Sequence, residues 1–131
     1  MATVNLIQSK RSQSKAGLKF ILSYCKRDSK TVCGDKKLIG GVNCVAESAY
    51  HEMLSTKMRY GKTDGRMFYH LVQSFSPEEN ITPETAHEIA LKFAEREFPE
   101  YEVLVATHTD KAHIHSHFII NSVSCENGYK L

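Results

Sequence analysis

The stretch HTDKAHIHSHFIINSV, residues 108–123, packs four of the chain's seven histidines into ten positions, directly before an apolar run. In a strand, residues two apart point the same way, so His113, His115 and His117 share a face with Ile119, Asn121 and Val123. The preceding YEVLVATH (101–108) also reads as a strand, and the four residues TDKA between the two imply an antiparallel hairpin. His108 closes the first strand and meets the histidine face across that hairpin. Imidazoles converging from two strands, with no thiolates among them, form a metal site that leaves positions open for water or a phosphate oxygen. His115 and His117 are the firm pair, and the third ligand is His108 or His113. His108 is preferred, because three histidines along one strand spread over ~13 Å, too far to share one ion. Asp110 reads either as a carboxylate orienting a ligand histidine or as an ordinary turn residue.

Working outward, ITPETAHEIALKFAEREF (81–98) is the clearest helix, with Thr82 as N-cap, Pro83 at the first helical position and Ala86, Ile89, Ala90 and Phe93 on one stripe. RMFYHLVQSF (66–75) is aromatic and branched, hence a strand, with Phe68, His70, Val72 and Ser74 on one face. His70 is a core or simply exposed strand residue, or a contact of the metal-site shell. AESAYHEMLSTKMRYG (46–61) and AGLKFILSYCKR (16–27) have helical spacing, and Gly61 reads as a stop signal. TVNLIQ (3–8) reads as a first strand, and KKLIGGVNC (36–44) as an extended segment. The expected fold is α/β: a two-layer sandwich with a central, mainly antiparallel sheet and helices packed on one face, the other face being open to a ligand.

The chain has the length of one domain, and its 41% hydrophobic and 24% charged residues are ordinary for a globular protein. MATVNLIQSKR at the start holds no long apolar run, so neither a signal peptide nor membrane insertion is expected. The four cysteines lack CxxC spacing, which suits a reduced, cytoplasmic protein. Net charge is only +2, but residues 10–37 hold nine basic residues against Asp28 and Asp35, leaving that segment at +7 and the remainder at −5. A lopsided basic segment suits a phosphate backbone, or is simply a solvated basic face. Tyr24 lies within it, beside Lys19, Lys26, Arg27 and Lys30, whose charges favour a phenolate. Arg66, in TDGR, is either a phosphate grip or a solvated turn charge. Asn121 is a hydrogen-bonding site residue or a satisfied core amide.

HTDKAHIHSHFIINSV resembles the HxDxxHxHxH signature of relaxases, the mobilization nucleases of conjugative plasmids and integrative elements. ILSYCKRDSKT, GGVNC and YGKTDGRMFYHLVQSF occur in the order that family uses, so the resemblance covers most of residues 18–123. It implies a catalytic domain of the HUH endonuclease type over 1–131, the N-terminal part of a longer bacterial protein. It further implies that Tyr24 attacks a phosphate of single-stranded origin-of-transfer DNA beside a hairpin and stays joined to the 5′ end, to start conjugative transfer or mobilization. Some relatives use a histidine nucleophile instead. Asp110 joins Tyr24 in the catalytic set, and Lys26, Arg27, Lys30, Arg66 and Ser74 are the expected DNA contacts. The resemblance favours Mn²⁺ or Mg²⁺, while the imidazoles alone also suit Zn²⁺ or Ni²⁺. Accessory relaxosome proteins and a coupling protein are the implied partners. A rolling-circle replication initiator would share this chemistry; a metal-stabilised DNA-binding module would share the site without it. A zinc hydrolase would release a free 5′-phosphate, and Asp110 is the one acidic general base near its motif.

Overall fold

The structure is a computed structural model that describes residues 3–7 and 13–131. Its elements run β1 (Thr3–Ile7), α1 (Lys15–Cys25), a single turn α2 (Asp28–Thr31), β2 (Val32–Cys33), β3 (Lys36–Lys37), β4 (Ile39–Val42), α3 (Ala49–Arg59), β5 (Phe68–Phe75), α4 (Pro83–Glu97), β6 (Val103–His108) and β7 (Ile114–Asn121). Gln8, the expected end of β1, and the basic residues Lys10 and Arg11 lie outside the described residues. Two of the helices, α1 and α4, begin at side-chain caps. Ser14 accepts from the Gly17 N–H at 3.0 Å ahead of α1, and Thr82 accepts from Thr85 N–H at 3.2 Å ahead of α4. Gly61, at φ 65°, ends α3 in the left-handed conformation that a Cβ disfavours. The turn α2 and the β2–β3 hairpin leave no periodic signature in the sequence, being too short to carry one. Among the described residues no helix is long and apolar enough to cross a membrane.

Five strands form one sheet in the order β1-β5-β7-β6-β4, every neighbouring pair antiparallel. The histidine strand β7 is thus its centre. The α/β architecture with an antiparallel sheet is as expected, but the helices divide between the two faces. Leu104, Ala106 and Ile119 pack against α1 and α3 through Leu18, Ile21, Leu22, Ala49 and Met53. Val103, Val105, Phe118 and Ile120 pack on the other side against Ala90 and Ala94 of α4. The reason is legible in β6: VLVA is apolar at every position, so both of its faces need cover. The alanines Ala86, Ala90 and Ala94 are fully buried, whereas Ile89, expected on that stripe, is 37% exposed. The open ground therefore lies at the end of the α1/α3 face rather than on a bare side of the sheet. On the far edge, a Cβ at Gly41 would stand 2.1 Å from the Cys44 carbonyl oxygen, so only glycine lets the chain double back there.

Below the histidines, the same face of β7 ends in a polar knot. The Lys57 side chain is fully buried, and its ammonium donates to the Met67 carbonyl, Asn121 Oδ1 and Ser122 Oγ, three acceptors for its three N–H groups. The Asn121 amide donates to Glu102 Oε1 at 2.9 Å and to the Met53 carbonyl at 3.1 Å, and Thr56 Oγ1 donates to Glu102 Oε2 at 3.0 Å. Burial lowers the Lys57 pKa to about 8 and raises that of Glu102, so the network holds ionisable groups that only complete hydrogen bonding makes tolerable. Asn121→Ala, which strands both partners, is expected to cost roughly 2–4 kcal/mol in urea unfolding. A loss below half a kcal/mol would show that the knot is relieved by water.

Candidate active site

The antiparallel register sets the site. His108 of β6 is the direct partner of His115 on β7, and Ala106 is the partner of His117. On the other flank, Val72 and Ser74 of β5 pair with His117 and His115. Period-2 alternation then puts His108, His115, His117, Val72 and Ser74 on one face, the face that carries α1. The C-terminal turn of α1 brings Tyr24 over them. Tyr24, Lys30, Val72, His108, Asp110, Lys111, His115 and His117 line a single pocket of about 230 Å³.

Two of the imidazoles are held from behind. His108 Nε2 donates to the carbonyl of Cys25 at 3.0 Å, which leaves Nδ1 as its bare nitrogen. His117 Nδ1 shares a hydrogen bond of 2.8 Å with His70 Nε2, leaving Nε2 of His117 for other partners. The rings of His108 and His117 lie 4.0 Å apart, tilted by 33°. Burial lowers the pKa of all four rings. His117 falls to about 2, through burial and then repulsion from His108 and His70, and His70 falls to about 4 through burial and then His108. His108 and His115 move down for the same first reason. At neutral pH these are uncharged lone-pair donors, the form a metal ion requires. His108, His115 and His117 bring three neutral imidazoles to one pocket, the ligand chemistry that a divalent cation takes. A second grouping lies behind it: ligand atoms of Cys25, His70 and His117 come within 4.8 Å of one another.

The cationic residues divide. Lys30 forms an ion pair of 3.1 Å with Asp110 and holds its ammonium 5.0 Å from the Tyr24 ring centre. The Arg27 guanidinium lies 4.8 Å from the same ring. Hydrogen bonding to Asp110 raises the Lys30 pKa despite partial burial. Burial works to raise the Asp110 carboxyl, but the bond and charge of Lys30 outweigh it and hold it below its ordinary range. Lys30 therefore lines the pocket, Arg27 lies against its tyrosine, and Ser74 shares the sheet face as the strand partner of His115. Lys26 does not line it: from the residue just past α1 its ammonium donates to the Ala46 carbonyl, ahead of α3, at 2.9 Å. Arg66 stacks over Tyr69 at 4.4 Å, and Tyr69 belongs to the opposite face of the sheet by strand alternation. Asp110 reads from the sequence either as a carboxylate orienting a histidine or as a turn residue. Its hydrogen bond goes to Lys30, while a main-chain carbonyl and His70 hold the histidines. His113 is exposed, 6.1 Å from the His115 ring, and does not line the pocket. Asn121 is the satisfied core amide of the knot below.

Sequence reasoning left His70 undecided between core and site, and the structure makes it both, buried and bonded to His117. The signal was its place on the alternation of β5, but the strand pairing that aligns it with β7 was needed to use it. Lys111 gave no such signal, being one charge in a turn.

Residues 24–131 match the nuclease domain of the MobA/VirD2-like relaxases, and the chain belongs to that family. It is 43% identical over 90 residues to a protein rlx of Staphylococcus aureus, covering 69% of this chain and 28% of that protein. A further rlx protein of Staphylococcus aureus is 40% identical over 89 residues, covering 68% of this chain and 27% of that one. The group II intron-interrupted relaxase LtrB of Lactococcus lactis is 46% identical over 68 residues, 51% of this chain and 12% of LtrB. The chain thus spans less than a third of the length of these relatives.

The buried histidines make stability depend on pH in a definite direction. As pH falls through about 6.5, the unfolded chain binds protons that the folded chain refuses at His70 until about 4 and at His117 until about 2. Both rings thus contribute stability above pH 6.5 that is lost on acidification. With cations removed by a chelator, urea unfolding at pH 5 is expected to give a free energy lower than at pH 7 by roughly 2 kcal/mol or more. Equal values at the two pH values would mean that the imidazoles are hydrated.

Proposed function

We propose that this chain is the DNA-nicking domain of a relaxase, a site- and strand-specific transesterase that opens one strand of origin-of-transfer DNA and keeps its 5′ end. The observation that carries this reading is the sharing of one pocket by Tyr24, Lys30 and the three histidines. In the nicking step the Tyr24 oxygen forms a bond to the scissile phosphorus, the phenol gives up its proton, and the bond to the 3′ oxygen breaks. The 3′ oxygen leaves with the electron pair and takes up a proton. One phosphodiester is exchanged for another, so the bond is conserved and the strand can be rejoined.

The residues divide the work. His108, His115 and His117 would hold a divalent cation, Mn²⁺ or Mg²⁺ by family custom, and when bound it neutralises charge on the phosphate oxygens. Neutral ligands leave that charge uncompensated and available. Lys30 offsets the negative charge that develops on the Tyr24 oxygen, and Arg27 adds to the same field. Asp110 is a positioning residue, fixing Lys30 against the tyrosine. Ser74 and Lys111 would contact the strand. The substrate is single-stranded DNA, with a hairpin beside the nick setting the position. Transfer from a bacterial cytoplasm, with accessory relaxosome proteins and a coupling protein, is the setting the family implies.

The test uses a labelled single strand carrying a candidate transfer origin, with Mn²⁺. The unsubstituted chain is expected to give a covalent protein–DNA band that resists denaturation and maps to the peptide containing Tyr24. Tyr24→Phe and His115→Ala are expected to abolish it. A band that survives Tyr24→Phe would move the nucleophile elsewhere, and strand binding without any covalent band would overturn the enzymatic reading. Lys30→Met is expected to lower kcat at least tenfold while strand affinity falls only a few-fold. An equal loss in both would make Lys30 a plain phosphate contact.

A further inference from the structure

Behind the pocket, the last residue of α1 turns its side chain into the sheet. Cys25 is fully buried, and its sulfur, one nitrogen of His70 and one of His117 lie within 4.8 Å of one another. They come from three separate elements, α1, β5 and β7, so the grouping is a product of packing rather than of one local motif. The donor set differs in kind from the outer histidines. Three neutral imidazoles with open positions accept hard or borderline cations, whereas a thiolate with two imidazoles selects a thiophilic one.

We infer that Cys25, His70 and His117 form an inner site for a thiophilic divalent cation of the Zn²⁺ and Cd²⁺ class, and that its occupation excludes the cation of the outer histidines. The second half of the inference rests on the proposed nicking site. In a tetrahedral zinc shell the nitrogens stand about 3.3 Å apart, and nitrogen and sulfur about 3.6 Å. His70 Nε2 and His117 Nδ1 are 2.8 Å apart, so the two rings open slightly to admit a cation between them. On binding, the metal–sulfur bond replaces the S–H bond and one proton leaves for solvent. The metal replaces the hydrogen bond between the two imidazoles.

Exclusion follows from the chemistry of His117, which both sites need. A neutral imidazole has one bare nitrogen; the other carries the proton. In the tautomer that donates Nδ1–H to His70, His117 presents a bare Nε2 to the outer site. A cation bound through Nδ1 moves the proton to Nε2 and removes the outer site's third ligand. The pocket thus discriminates between metals by more than affinity. A soft cation lodges one layer deeper and disables the layer above it.

Cd²⁺ titration of the 131-residue chain tests this, because a cadmium–thiolate bond absorbs in the ultraviolet by charge transfer. The expected result is a charge-transfer band of one thiolate that saturates at one equivalent. The band should vanish in Cys25→Ser and require at least tenfold more Cd²⁺ in His70→Gln. Cys33, Cys44 and Cys125 serve as the internal control, since a band that persists in Cys25→Ser comes from them and overturns the inner site. In the Mn²⁺-loaded chain, one equivalent of Cd²⁺ is expected to release one Mn²⁺, read by the electron paramagnetic resonance signal of the free ion. The Cys25 band forming while Mn²⁺ stays bound would overturn the exclusion. These readouts are independent of nicking, so a Mn²⁺ form that cuts no strand would overturn the proposed function alone.

Discussion

The pairing of His108 with His115 across the β6–β7 ladder is the constraint from which the site is built. A one-residue slip of that register would turn His115 and His117 onto the face covered by α4, among Ala90 and Ala94. It would also expose Phe118 and Ile120 to the α1 side, where their volumes have no place. The register is therefore fixed by the core, and the ligands inherit the precision of the packing. The α1 face of β7 changes character along its length: histidines at its start, Ile119 in its middle, and the Lys57–Asn121–Glu102 knot at its end. The same strand thus carries the chemistry, the core and the buried charge pair in succession.

Much of this arrangement was legible before any coordinates. The period of two in HIHSHFIIN placed the histidines on one face, and the short TDKA turn brought His108 opposite them. Thr82 caps a helix where the sequence puts one, while the apolar run of β6, buried at every position, is what calls for helices on both faces. What the sequence could not convey is pairing between distant segments. That β5 rather than β4 borders the histidine strand decides whether His70 is a core residue or a partner of His117. Lys26 and Lys30 looked alike as basic neighbours of Tyr24, yet one turn of chain sends the first to a main-chain carbonyl and the second to Asp110. Charge counts carry no direction.

The electrostatics of the pocket have two layers. The rim is ionic and partly wet, where Lys30, Asp110, Arg27 and Lys111 can exchange partners at modest cost. The floor is neutral: four imidazoles, each kept uncharged by burial, and a thiol whose pKa burial raises to about 12. A cation entering this floor meets only lone pairs and no fixed negative charge, so its binding is governed by ligand type and geometry rather than by attraction. Tyr24 stands on the boundary between the layers, with its ring against Lys30 and Arg27.

The order of the strands also sets how the molecule reaches this state. β5 and β7 lie side by side although the whole of α4 and β6 separates them in the chain, and Cys25 meets His108 across more than half the sequence. Such non-local contacts require the ordering of long loops before any of them is rewarded, which slows folding relative to helical bundles of the same length. No fragment shorter than α1 through β7 contains the pocket, so in the nascent chain it stays incomplete until the central strand has been synthesised and inserted between β5 and β6. Competence for chemistry and completion of the sheet are one event.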